Sequence, residues 1–232
     1  MTMSNGTIID GPRLAPQSGI AKQLVVFLHG YGADGNDLIG IGKQWAQLLP
    51  DAVFVSPHAP APCAQSPMGR EWFGLTFRDP NERWNGVVKA RPTLDAFLDA
   101  ELKRHGLSDD RMALVGFSQG TMMALHTGLR RKHAPAAIVG YSGMMAGVEH
   151  LKAEATVRPR VLLIHGDQDE VIPVQALFQA SQTLGAADIP VEWHISAGIG
   201  HGIDGDGLMH GVSFMAKAFS HSSKSLSERS SR

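Results

Sequence analysis

Six short apolar runs recur along the chain, at 24–28, 52–55, 112–117, 137–141, 161–164 and 191–195, each closed within a residue or two by Gly, Pro or Ser. They are continuous rather than alternating in and out, which is the pattern of parallel strands covered on both faces. Between them lie segments with helical spacing, at 36–49, 81–105, 119–132, 174–184 and 207–219. Strand and helix in alternation predict an α/β fold: a mostly parallel, doubly wound sheet with helices on both faces. Pro92 interrupts the 81–105 segment, so a kink or break near Arg91 is expected.

The 232 residues suffice for one core, and nothing in the length requires a second domain. One domain over 1–219 is expected, followed by a polar tail, 220–232, whose only aliphatic residue is Leu226 and which is expected to be solvated and mobile. With 21 Lys and Arg against 22 Asp and Glu, no long-range field favours nucleic acid or an anionic membrane. Cys63 is the only cysteine, so no intrachain disulfide can form, and a reducing cytoplasmic setting fits best. No basic-then-apolar leader opens the sequence, and no run approaches the ~18 apolar residues of a membrane span. Stable membrane insertion is therefore not expected.

Gly116-Phe117-Ser118-Gln119-Gly120 spells G-x-S-x-G. The bare pattern is common; its setting is more specific. It follows the apolar run MALVGF and precedes TMMALHTGLRR, a good helix former, so Ser118 would sit on a sharp strand-to-helix turn, the nucleophile elbow of α/β-hydrolase sheets. Such a turn exposes the hydroxyl above the carboxyl edge of the sheet and leaves helix N-terminal N–H groups, Gln119's included, beside it. The plainer alternative is a serine that caps the helix.

A serine hydroxyl needs a base within hydrogen-bond reach, and a histidine suits this at neutral pH. In this fold the order is Ser, acid, His. Of the histidines after the acid, His194 falls in a strand run, His210 in a helical one and His221 in the polar tail; only His201 sits in a loop, GIGHG, after the last strand. The acid should follow the 161–164 strand, where Asp167 and Asp169 compete. Asp169 lies deeper in the loop and has the better reach, whereas Asp167 could bond the turn's own backbone.

After the first strong strand comes His29-Gly30-Tyr31-Gly32, suited to supply a second oxyanion donor, with the Tyr31 N–H as candidate opposite Gln119. Gly30, Gly32 and Gly35 also spell a dinucleotide fingerprint, but the second strand ends in Ser56-Pro57-His58, where the ribose-binding acid is missing. A metallohydrolase could draw on His165, Asp167, Asp169, His201, Asp204 and Asp206; no H-E-x-x-H spacing accompanies them and they divide between two loops. No cofactor and no metal are expected.

Together LHGYGADG, GFSQG, HGDQDEVIP and GIGHG resemble the phospholipase/carboxylesterase family, which includes the acyl-protein thioesterases, over about 22–219. The resemblance implies Ser118, Asp169 and His201 as the triad, so it decides for Asp169 over Asp167, and Tyr31 and Gln119 as backbone oxyanion donors. Two positions depart from the family's pattern: Thr121 stands where a glycine is usual, and Trp72-Phe73-Gly74-Leu75-Thr76-Phe77 where Trp-Phe-Asp is usual.

The expected activity is serine carboxylesterase hydrolysis of small-molecule esters, with short to medium acyl chains, through an acyl-enzyme. Trp72, Phe73, Leu75, Met144, Met145 and Ile199 are placed to form an apolar acyl pocket, while Met122 and Met123 read as core. A protein thioesterase or a lysophospholipase would use the same triad. Outside enzymology, the alternative is a binding protein that kept the fold and lost the chemistry.

Overall fold

The computed structural model describes residues 8–76, 78, 79 and 81–230, with side chains to residue 221. Its strands are β1 (Arg13–Leu14), β2 (Gln23–Leu28), β3 (Ala52–Val55), β4 (Ala61–Pro62), β5 (Arg70–Glu71), β6 (Met112–Phe117), β7 (Ala137–Tyr141), β8 (Arg160–Gly166) and β9 (Val191–Ser196). Its α-helices are α1 (Gly35–Trp45), α2 (Glu82–His105), α3 (Gln119–Gly128), α4 (Leu151–Glu154), α5 (Gln175–Ala186) and α6 (Gly205–Ser230). Seven strands form one sheet in the order β1-β3-β2-β6-β7-β8-β9. All its pairings are parallel except β1 with β3.

The unbroken apolar runs follow from two cores, one on each face of this sheet. Val26, Leu28, Leu114 and Leu163 point to the face covered by Leu94 and Leu98 of α2, Met123 and Leu125 of α3, and Leu177 of α5. Val25, Phe27, Val115 and Ile164 point to the other, covered by Leu38 and Trp45 of α1 and Val212, Met215 and Phe219 of α6. β9, at the edge, is largely open to solvent, with Trp193 half exposed. No helix among the described residues is long and apolar enough to cross a membrane.

Of the kink or break expected near Arg91, the break does not occur: α2 runs through Pro92 as one helix. Pro92 and Val88, the residue whose carbonyl loses its donor, both lie on the exposed side, where water can serve that oxygen. Burial of Val87, Leu94 and Leu98 holds the helix on both sides of the proline. At the other end, α6 continues as helix to Ser230, past the expected end at 219. The pairs β1 and β4–β5, two residues each, and the single turn of α4 were too short to leave a periodic signal.

Because the sheet is parallel, the carboxyl ends of β2, β6, β7, β8 and β9 share one edge, and the loops that follow them meet there.

Candidate active site

Ser118 joins β6 to α3 with φ +53° and ψ −113°, a conformation that non-glycine residues rarely adopt. The flanking glycines make the turn possible. A Cβ at Gly116 would lie 2.4 Å from the Gly120 backbone, and one at Gly120 would lie 1.8 Å from the Leu28 carbonyl oxygen. The Ser118 N–H donates to the Tyr141 carbonyl at 2.9 Å. Its side chain makes no capping bond to α3; instead Oγ lies 3.0 Å from Nε2 of His201. The helix-cap reading is thereby set aside.

His201 comes from the loop after β9. Its Nδ1 lies 2.8 Å from Oδ2 of Asp169, and its ring packs against Phe117 with centroids 5.0 Å apart. Asp169, in the loop after β8, has a fully buried side chain. Its Oδ1 accepts the N–H groups of Val171 and Ile172 at 2.9 and 2.8 Å. Burial alone would push this carboxyl up; the His201 hydrogen bond and the two amides outweigh it and hold the group below the ordinary carboxylate range. A buried carboxylate that stays ionised can favour the charged form of the imidazole beside it.

The competing Asp167 does different work: its Oδ1 accepts the Gly198 N–H at 2.7 Å, tying the loop after β8 to the loop after β9. Of the residues considered as metal ligands, His165 and His201 both approach Oδ2 of Asp169, at 3.2 and 2.8 Å, as hydrogen-bonding neighbours. Asp204 is bonded to Ser196 and to the Gly207 N–H, and His165 sits behind Asp169 with Nε2 2.8 Å from the Ile172 carbonyl. Among the described residues, no group of three His, Cys, Asp or Glu is spaced to hold a metal ion. The glycines of the fingerprint serve packing: Gly35 lies against the Ser56 carbonyl and its N–H donates to His58, at the end of the strand where a nucleotide site needs an acid.

Tyr31, Gln119, Ser118 and His201 line one cavity of about 600 Å³. Among the described residues, neither the Tyr31 nor the Gln119 N–H donates to a protein acceptor. Several residues that sequence reasoning passed over hold this region in place. His29 accepts the Ala59 N–H on Nε2, its Nδ1 lies 2.8 Å from the Gly30 carbonyl, and burial pushes its pKa down, so it stays neutral. The Gln119 side chain accepts the Trp72 N–H at 3.0 Å and donates to the Phe73 carbonyl at 2.8 Å. Ser142, left-handed at φ +43°, donates to the Gly202 carbonyl at 2.8 Å beside His201. The departure at Thr121 is structural: its hydroxyl is 2.9 Å from both the Gly116 and Tyr141 carbonyls, and Gly140 and Gly143 leave room for it.

Of the expected pocket residues, Leu75 and Met144 line the cavity; Trp72, Phe73, Met145 and Ile199 do not. Trp72 turns inward to donate Nε1 to the His29 carbonyl, Phe73 packs against Gly86 on α2, and Met145 is buried in the core. Ile199 contributes backbone instead, its carbonyl accepting the Gln168 N–H. In their place the wall is built by Met122, which is core and lining at once, by Val171, Ile172 and Pro173, and by Ala176 on α5. A chain position gives no hint that α5 would lean over the loop after β6.

A mostly parallel sheet carrying a serine on a strained strand-to-helix turn, with an imidazole and a carboxylate on later loops of its carboxyl edge, is the construction of the α/β-hydrolases. Residues 10–219 match the phospholipase/carboxylesterase family, and the chain belongs to it. It is 30% identical to esterase YpfH of Escherichia coli (strain K12), over 79% of this chain and 78% of that protein. It is 26% identical to acyl-protein thioesterase 1 of Gibberella zeae, over 86% of this chain and 91% of that protein. The crystal structure of esterase PE8 superposes with a TM-score of 0.88 at 45% identity, covering 91% of this chain and 99% of that one. The protein is a hydrolase acting on ester bonds.

Proposed function

We propose that this protein is a serine carboxylesterase that cleaves esters of short to medium acyl chains through an acyl-enzyme. The observation that carries the reading is the unbroken hydrogen-bonded line from Asp169 through His201 to Ser118, ending at an apolar cavity. His201 takes the Ser118 proton on Nε2 as Oγ attacks the ester carbonyl. The N–H groups of Tyr31 and Gln119 receive the oxyanion, and His201 then protonates the departing alcohol. Water repeats the two steps on the acyl-enzyme. Asp169 fixes the imidazole tautomer throughout.

Chain length is read from the cavity. Leu75, Met122, Met144 and Ile172 form its buried and half-buried apolar wall, and a space of about 600 Å³ suits a modest acyl group. A fluorophosphonate probe is expected to add its mass to the peptide containing Ser118, and Ser118→Ala is expected to abolish both labelling and turnover. Across p-nitrophenyl esters of increasing length, kcat/KM should be highest for short and medium chains. Labelling elsewhere, or full activity in Ser118→Ala, refutes the mechanism. Thioesters and lysophospholipids present the same carbonyl chemistry, and turnover of all three substrate types side by side ranks them.

A further inference from the structure

We propose that Arg83 makes this cavity selective for esters that carry a negative charge away from the scissile bond, a reading that rests on the esterase assignment above. Among the described residues the lining holds no aspartate or glutamate, and Arg83 is its one permanent charge. The same cavity is lined by uncharged groups: Gln175 and Gln179, one turn apart on α5, and the apolar wall of Leu75, Met122, Met144 and Ile172. A sphere of that volume is about 10 Å across, so a substrate whose carbonyl sits at Ser118 can also reach the guanidinium.

Two further observations separate Arg83 from an ordinary surface cation. Several arginines of the structure pair with carboxylates: Arg13 with Glu101, Arg91 with Asp95, Arg130 with Glu154, and Arg131 with Asp95, Asp99 and Asp109. Among the described residues Arg83 has no such partner, although acidic side chains are close in sequence. Asp79 instead accepts the Asn81 N–H, and Glu82 accepts both the N–H and the hydroxyl of Thr76. Arg83 also occupies the second position of α2, where the positive end of the helix dipole disfavours a cation. Asn81 provides no side-chain cap that would offset it. Helix electrostatics therefore do not account for an arginine at this position, whereas an anion in the cavity would. Half-buried at an apolar wall, a guanidinium binds a carboxylate more strongly than one free in water.

The charge can lie on either side of the ester, and paired substrates separate the two cases. On the acyl side, p-nitrophenyl hemiglutarate is compared with p-nitrophenyl valerate; on the alcohol side, 4-carboxyphenyl butyrate is compared with phenyl butyrate. The wild-type protein is expected to favour the anionic member of at least one pair, mainly through KM, and increasingly so as salt is lowered. In Arg83→Gln that ratio should fall about tenfold and lose its salt dependence, while Arg83→Lys restores part of it. A ratio unchanged by Arg83→Gln in both pairs overturns the proposal, as does an equal loss for charged and neutral members, which would mark Arg83 as merely structural. A wild-type protein that turns over none of the four esters overturns the esterase reading itself, and this inference with it.

Discussion

Oδ2 of Asp169 lies 2.8 Å from Nδ1 of His201 while Oδ1 of the same carboxylate accepts two backbone amides, from Val171 and Ile172. The carboxylate therefore cannot rotate away without breaking three hydrogen bonds. With an ionised acceptor beside it, Nδ1 is the protonated nitrogen, which leaves Nε2 as the acceptor 3.0 Å from the Ser118 hydroxyl.

That arrangement predicts the effect of Asp169→Asn. An amide nitrogen turned toward Nδ1 would favour the opposite tautomer, so kcat on p-nitrophenyl butyrate should fall by about 10³–10⁴ while KM changes little. A loss below tenfold, with the variant folded by circular dichroism, would mean that Asp169 is scaffold only.

Gly120 and Gly185 should respond in opposite directions to the same substitution. A Cβ at Gly120 meets the Leu28 carbonyl oxygen at 1.8 Å, so Gly120→Ala must displace α3 or β2 and is expected to cost about 3 kcal/mol or more in urea unfolding. At Gly185, near the end of α5, nothing lies within 4 Å, and Gly185→Ala should stabilise by about 0.5 kcal/mol. Equal midpoints for the two variants would contradict the packing described for the elbow.

The Gln119 side chain is separable from its backbone N–H. Gln119→Ala removes the clamp on Trp72 and Phe73 and leaves their N–H and carbonyl unpaired in a buried place, which should cost about 2 kcal/mol. Labelling of Ser118 should survive, slower, because the oxyanion donor belongs to the main chain. Complete loss of labelling in a folded variant would assign the side chain a direct part in the chemistry.

Two buried histidines set the acid sensitivity of the fold. Burial pushes His29 below its ordinary value, and burial, with the nearby Arg130 and Arg91 charges, pushes His126 down to about 3. In the unfolded chain both take up a proton near pH 6.5. Below that pH the unfolded state binds more protons than the folded one, so stability falls as pH falls, by up to about 1.4 kcal/mol per pH unit for each histidine. Asp169, with its folded value depressed, adds a further loss only once the pH drops below about 4, through its folded value. The melting temperature should decline steadily from pH 7 to 5, and His126→Gln should flatten that decline. An unchanged slope in His126→Gln would count against its being buried and neutral.

The strand and helix order was legible because each element had to bury a face, and burial leaves a periodic mark. Elements of two residues such as β1 and β4 bury too little to leave one. The break expected at Pro92 illustrates a local rule overridden: the missing hydrogen bond falls on the solvent side, while buried neighbours keep the helix whole. In the site, Ser118 and His201 could be named because an elbow motif, chain order and a glycine-flanked loop leave few candidates, whereas Asp167 and Asp169 competed until the family resemblance decided for Asp169. The supports at His29, Ser142 and the Gln119 side chain carried no motif, since any residue of the right hydrogen-bonding type at the right place would serve.

The sequence by itself determined the layered α/β architecture and the residues on the loops of one sheet edge, because parallel strands place every following loop on the same side. Tertiary structure alone decided what walls the cavity. Trp72, Phe73 and Met145 turned away into bonds and core, and the loop after β8 with the start of α5 brought Ile172, Pro173 and Ala176 to the cavity at Ser118. Periodicity records that a residue is buried, and only the packing of distant segments fixes which surface it is buried against.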